Sequence, residues 1–171
     1  IEIAALGKAC EVSERDMQDN IKHMRQTRDK LFEQISSALG DVRLNGHPVQ
    51  RLPNTLSVSF PGIEANIVLN DIAEKGIAAS AGAACHADRV DVSSVLRAIG
   101  LDEHHAMGTL RFSTGRHTTL EEIGQAAKII ISTVQAIRSP VEQAAQASQE
   151  IKLTHYTQGM GCACKLRPQE L

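Results

Sequence analysis

The chain has 171 residues, enough for one domain with a sizeable core and too few for two large ones. Hydrophobic residues make up 42% and charged residues 22%, and 18 basic against 20 acidic side chains leave a net charge of -2. That near balance excludes a polybasic nucleic-acid or membrane-surface role, no apolar run reaches the roughly 18 residues of a spanning helix, and no basic-then-apolar leader opens the chain.

Four irregularly spaced cysteines do not make a disulfide framework, so a reducing cytoplasm is the expected compartment. The first residue is Ile1 instead of Met, which raises the expectation that the chain is a piece of a longer polypeptide.

In chain order, the spacing of Met17, Ile21, Met24, Leu31, Ile35 and Ala38 predicts an amphipathic helix over 14–39, with Arg28 a skipped position. Ser13 with Asp16 suggests its N-terminal cap and Gly40 its stop, with residues 1–11 an earlier part of the same helical segment and Cys10 a core residue. A short strand is expected at Val42–Leu44, and alternating Leu56, Val58 and Phe60 predict another, closed by Pro61-Gly62. "EANIVLNDIAEKG" reads as a helix stopped by Gly76, and Ile77–Ala79 as a short strand entering a loop around Cys85. "VSSVLRAIG" is a short helix, His104-His105 a solvated turn, and "TLRFS" a strand. Thr118 and Glu121 suggest a capping box ahead of the stripe Leu120, Ile123, Ala127, Ile130, Val134 and Ile137, which Ser139-Pro140 should end. Residues 139–150, rich in Ala, Gln and Ser, read as a linker before a distinct tail at 151–171.

Two residues invite chemistry. Cys85 follows the nearly bare run "SAGAA", with His86 and Arg89 close by as cations able to favour the thiolate. Gly82 and the alanines suit a thiol that moves between two places, although a buried, inert cysteine among alanines fits the same letters. Arg111 lies on a predicted strand, where a guanidinium can grip a carboxylate through paired hydrogen bonds or simply form a surface ion pair. Arg116 has the same two readings with less in favour of the first, and His47 and His117 carry no argument.

Four ordered blocks, "LPNTLSVSF", "ASAGAACHA", "SSVLRAIGL" and "TLRFSTGRHTTLEEI", resemble the C-terminal small domain of the NifS-like, pyridoxal-phosphate-dependent cysteine desulfurases, over residues 1–138. The resemblance implies an α+β fold: the small C-terminal domain of fold type I pyridoxal-phosphate enzymes, a short, mainly antiparallel sheet covered by helices, plus a flexible tail. It implies that Cys85 matches the persulfide-forming cysteine and Arg111 the arginine that holds the substrate's α-carboxylate. The implied reaction takes sulfur from L-cysteine, or selenium from L-selenocysteine, and leaves alanine. The implied partners are a sulfur or selenium acceptor protein and, in the full-length protein, a second copy in a homodimer. The sequence departs from the family in the run before Cys85, which is poorer in serine than the usual Ser-Ser-Gly-Ser-Ala-Cys. It also lacks the preceding large domain with the Schiff-base lysine, a context that none of Lys8, Lys22, Lys30 or Lys75 has, so this piece alone is expected to be inactive.

The tail "IKLTHYTQGMGCACKLRP" resembles the N-terminus of selenophosphate synthetase (selenide, water dikinase), with Ala163 where that family has glycine between the cysteines. This implies that Cys162 matches the catalytic cysteine and Lys165 the catalytic lysine, with ATP and Mg2+ bound by a body beyond Leu171. The expected parent is a fusion in which selenide released by one enzyme is phosphorylated by the next. The alternatives are a non-catalytic persulfide carrier using Cys85, and a metal-binding module using Cys162, Cys164 and His155, for which the spacing supplies too few ligands for a zinc site.

Overall fold

The computed structural model describes the backbone of residues 1–86 and 89–146 and the side chains of residues 1–82 and 92–139. By internal contacts the chain divides into Ile1–Ser139 and Pro140–Leu171. Within the second unit only the helical backbone of residues 140–146 is described, so Cys162, Cys164, Lys165 and His155 lie outside the described residues.

Helix α1 runs unbroken over Glu2–Leu39. The proposed cap at Ser13 does not occur, because no proline interrupts the run and the backbone continues through it. Gly40 ends the helix at φ 76°, returning its N–H to Ser36 O at 2.9 Å. Leu31 and Ile35 are buried as the stripe predicts, but so are Thr27 and the skipped Arg28, while Met17 and Ala38 stay exposed. The expectation of a core Cys10 is overturned. Residues 1–11 are all exposed, since nothing among the described residues packs against that part of α1.

Strands β1 (Arg43–Leu44), β2 (Thr55–Ser59), β3 (Ser80–Ala81) and β6 (Thr109–Ser113) form an antiparallel sheet in the order β1-β2-β6-β3. Helix α2 spans Ala65–Glu74 and α5 spans Leu120–Gln146. Strand periodicity sends Leu56, Val58, Leu110 and Phe112 to one face. There they join Leu31 and Ile35 of α1, Val68 and Ile72 of α2, and Ile123, Ala127, Ile130 and Val134 of α5 in one continuous core. The sequence stripe of α5 is therefore its core face, apart from Leu120, which is 48% exposed at the helix start.

The other face carries a smaller cluster. Helix α3 (Ser94–Ala98) is capped by Ser93, whose hydroxyl accepts from Val95 N, and α4 (Glu103–Met107) is capped by Asp102. Leu96, Leu101 and Ala106 pack together there with Val92. His104 and His105 thus sit on a short helix instead of a turn, because the Asp102 carboxylate accepts the His105 backbone N–H at 3.0 Å and nucleates the first turn.

Three other expectations shift. Ile77–Ala79 is unpaired, because Ile77 N–H is used to close α2 on Ile72 O at 2.9 Å and the chain comes into register with β6 only at Ser80. The capping box is formed by Thr119 and Glu122, one residue later than expected, since the Thr118 hydroxyl instead accepts from Gly115 N at 2.9 Å. The helix does not stop at Ser139-Pro140. The following Val-Glu-Gln-Ala-Ala-Gln is rich in helix formers, and α5 continues to Gln146.

Candidate functional site

The sheet face opposite the main core is built from the polar half of each strand. Register sets Ser57, Arg111 and Ser80 in one row and Ser59 opposite Thr109 in the next, so all five share that face. Under α3 and α4 the row is closed and hydrogen-bonded. Asn45 Nδ2 donates to Ser59 Oγ at 2.8 Å, Ser59 Oγ and Thr109 Oγ1 stand 2.7 Å apart, and Thr109 Oγ1 donates to His105 O at 3.1 Å. Ser59 is 0% exposed and Thr109 1%, so this chain is an interior polar network with its members satisfied.

At Arg111 the row opens to solvent. Its guanidinium donates through Nη2 to Ser80 Oγ over a long 3.4 Å, and among the described residues it has no carboxylate partner. Both neighbours across the sheet, Ser57 and Ser80, are small and neutral, which leaves the cation free to take an anion in fork geometry. Arg116, the weaker candidate, donates to the ring of its neighbour His117 at 3.0 Å and is exposed.

Ser80 also starts the stretch that leads to Cys85. Gly82 N–H donates to Thr109 O at 2.7 Å and Gly82 O accepts from Ser93 N at 3.2 Å, which ties the approach to both the sheet and the start of α3. Beyond it the chain enters strand β4 (Ala83–His86), which pairs antiparallel with β5 (Arg89–Val92), with Cys85 opposite Val90. The expected loop around the cysteine is therefore extended backbone, favoured by the β-branched partners Val90 and Val92.

The glycine in this approach has a different purpose from the expected freedom of angle. A Cβ on Gly82 would stand 2.7 Å from Leu96 Cδ1 and 2.9 Å from Thr109 Cβ, so Gly82 is required by close packing. Arg111 and the segment bearing Cys85 are thereby brought to one edge of the sheet, through the pairing of Arg111 with Ser80 five positions before the cysteine. Sequence reasoning missed Ser80, Ser57 and the buried Asn45–Ser59–Thr109 network. The alternation in "TLSVSF" carried the signal, since the same period that buries Leu56 and Val58 sends Ser57 and Ser59 to the opposite face.

The described lysines do not make a cradle for an aldehyde cofactor. Lys8, Lys30 and Lys75 are paired with Glu11, Glu33 and Asp71, and Lys22 and Lys128 are exposed on helices. Among the described residues no group of three His, Cys, Asp or Glu could hold a metal ion, and no helix is long and apolar enough to cross a membrane.

Comparison with known proteins agrees with this architecture. A cysteine desulfurase IscS of Rickettsia bellii is 36% identical over 152 residues, covering 88% of this chain and 37% of the relative. The human cysteine desulfurase is 35% identical over 158 residues, covering 91% of this chain and 34% of the relative. The chain thus spans about a third of the length of these curated relatives. Among solved structures, a NifS-like protein superposes with a TM-score of 0.64 at 30% identity, over 75% of this chain and 31% of its own. A NifS-like protein from Rickettsia africae gives 0.67 at 22% identity, over 78% of this chain and 34% of its own, and supports the fold. The aminotransferase class-V profile matches residues 1–126, spanning α1, the sheet and the first turns of α5. With its small antiparallel sheet, helical cover and strand-borne arginine, the chain belongs to the aminotransferase class-V family.

Proposed function

We propose that residues 1–138 supply the substrate clamp and the sulfur-accepting thiol of a cysteine desulfurase or selenocysteine lyase. The observation that carries this reading is Arg111: an exposed guanidinium, flanked by serines and lacking a carboxylate partner among the described residues, one strand pairing away from the segment that leads to Cys85. The curated relatives named cysteine desulfurase support the same reading.

In this proposal Arg111 binds the α-carboxylate of the amino acid and fixes its orientation. The Cys85 thiolate attacks the substrate sulfur. The S–S bond forms as the substrate's Cβ–S bond breaks, Cβ takes up a proton, and the products are alanine and a Cys85 persulfide. Atoms and electrons balance between one thiol and one cysteine. Pyridoxal phosphate, implied by the family, supplies an electron sink when bound. Since the described lysines do not fit it, none of them is assigned as its amine partner, and no step here is attributed to it.

The finer reading extends to the tail. The motif "GMGCACK" assigns Cys162 and Lys165 to the start of a selenophosphate synthetase using ATP and Mg2+, with 139–150 as the linker. A tether between a selenide-releasing unit and a selenide-consuming one raises the effective concentration of a reactive intermediate.

The test uses the longest natural polypeptide that carries this chain, supplied with pyridoxal phosphate. Cys85→Ser should abolish alanine release from L-cysteine. Arg111→Lys should raise KM by about tenfold or more, the loss expected for one charged hydrogen bond. Unchanged turnover in both variants would remove these residues from the reaction and favour a carrier role.

A further inference from the structure

Away from the Arg111 face, α1 and the segment after β1 form a half-open pocket of about 390 Å³ lined by Arg25, Arg28, Asp29, Phe32, Val49 and Arg51, among others. Three arginines and one aspartate therefore line the same pocket. Arg28, buried at 4% exposure, is fully used: it donates to Asp29 Oδ1 at 2.8 Å through Nε and to Leu52 O at 2.6 Å through Nη1. Arg51 is not. Its Nη2 shares the same Asp29 oxygen at 3.2 Å, while Nε and Nη1 are both buried without an acceptor. Buried donors on a charged group are seldom left unmade, because the group has lost its water and gained nothing in exchange.

The arrangement is built into the turn. His47 Nδ1 accepts from Val49 N at 3.0 Å and from Gln50 N at 2.8 Å, which folds residues 47–51 back and holds Arg51 over α1. Burial, and then the neighbouring charge of Arg28, press the Arg51 guanidinium below the ordinary arginine range, the strain that a second anion beside it would relieve.

We infer that this pocket is a binding site for a small oxyanion, a carboxylate or a phosphate group. Arg51 donates to it from the interior and Arg25 closes over it from the exposed rim. Phe32 and Val49 give an apolar wall against which the body of such an anion rests. The site is separate from the Arg111 face and does not depend on the desulfurase reading.

The test is a titration of the full chain with inorganic phosphate and, separately, with acetate, at ionic strength held constant with chloride. The readout is the side-chain Nε–H resonance of Arg51 and, in the Arg51 variant that lacks it, the backbone N–H resonances of Val49 and Gln50 in the adjoining turn. A saturable shift with either ion supports the site, and which ion saturates identifies the source as phosphate or carboxylate. Arg51→Gln should weaken binding by about tenfold. Arg25→Gln, at an exposed position, should weaken it severalfold without disturbing the fold. The inference is overturned if neither ion saturates, or if folded Arg51→Gln binds as tightly as the parent. Should Arg51→Gln fail to fold, unchanged binding by Arg25→Gln overturns it.

Discussion

Arg111 draws its character from its neighbours as much as from its own charge. On β6 it faces Ser57 and Ser80, and a single aspartate at either position would turn its exposed guanidinium into one half of a surface ion pair. The arginine was legible in the sequence as a strand residue, whereas its lack of a carboxylate partner among the described residues depends on pairings 31 and 54 positions distant, which no local pattern records. Glycine gives a second lesson at this scale. A Cβ at Gly82 would meet side-chain atoms at 2.7–2.9 Å, one of them the mobile end of Leu96, while at Gly108 it would lie 2.0 Å from the backbone oxygen of Phe60. A side chain yields more easily than a backbone carbonyl, so Gly82→Ala should cost about 1–3 kcal/mol and Gly108→Ala more. Denaturant midpoints of the two variants check this order, and equal stability would show that the backbone gives way around Phe60.

At the level of elements, apolar periodicity was the readable part. The α5 stripe and the alternation of β2 were visible because burial repeats at 3.6 and 2 residues along the chain. Element ends were less so, since each depends on which of several equivalent groups wins a hydrogen bond. Thr118 and Thr119 are the same residue type, and only the turn at Gly115 decides that Thr119 caps α5. The burial of Arg28, a skipped position of the apolar stripe, was not foreseen for a related reason: its polar head is satisfied by the Leu52 carbonyl, 24 residues away. Thr119→Ala should destabilise the chain by about 0.5–2 kcal/mol, measurable by thermal or denaturant unfolding.

The same caps set an acid limit. The Thr119 backbone N–H, then its hydroxyl, hold the Glu122 carboxyl below its usual value. The His105 side chain, followed by its backbone N–H, does so for Asp102, and Lys75 followed by Thr133 for Asp71. A carboxylate with a lowered folded-state pKa contributes stability above its unfolded value, near pH 4, and loses it as pH falls through the folded value. The melting temperature should therefore drop on acidification below about pH 4, and Thr119→Ala should make that drop shallower. A melting temperature insensitive to acid would contradict the capping assignments.

For the molecule as a whole, the fold and the chemistry were legible to different degrees. An α+β domain of a few strands covered by helices follows from the order and period of its segments, whereas the small antiparallel sheet was implied by the family resemblance, and the structure has both. The site is a property of the assembled sheet. Arg111 and the approach to Cys85 meet only because β3 pairs with β6, and β3 is two residues long, too short to stand out in sequence. The N-terminal reach of α1 shows the same limit from the other side, with Ile3 at 88% and Leu6 at 66% exposure beside a Cys10 that was expected in the core and is exposed too. What matters most for function is whether Cys85 takes sulfur directly from an amino acid. The deciding measurement is mass spectrometry of the Cys85 peptide, after the longest natural polypeptide carrying this chain has been incubated with pyridoxal phosphate and L-cysteine and then alkylated. A gain of one sulfur atom on Cys85, absent in Arg111→Ala, is the predicted result; an unmodified Cys85 beside continuing alanine release would contradict it.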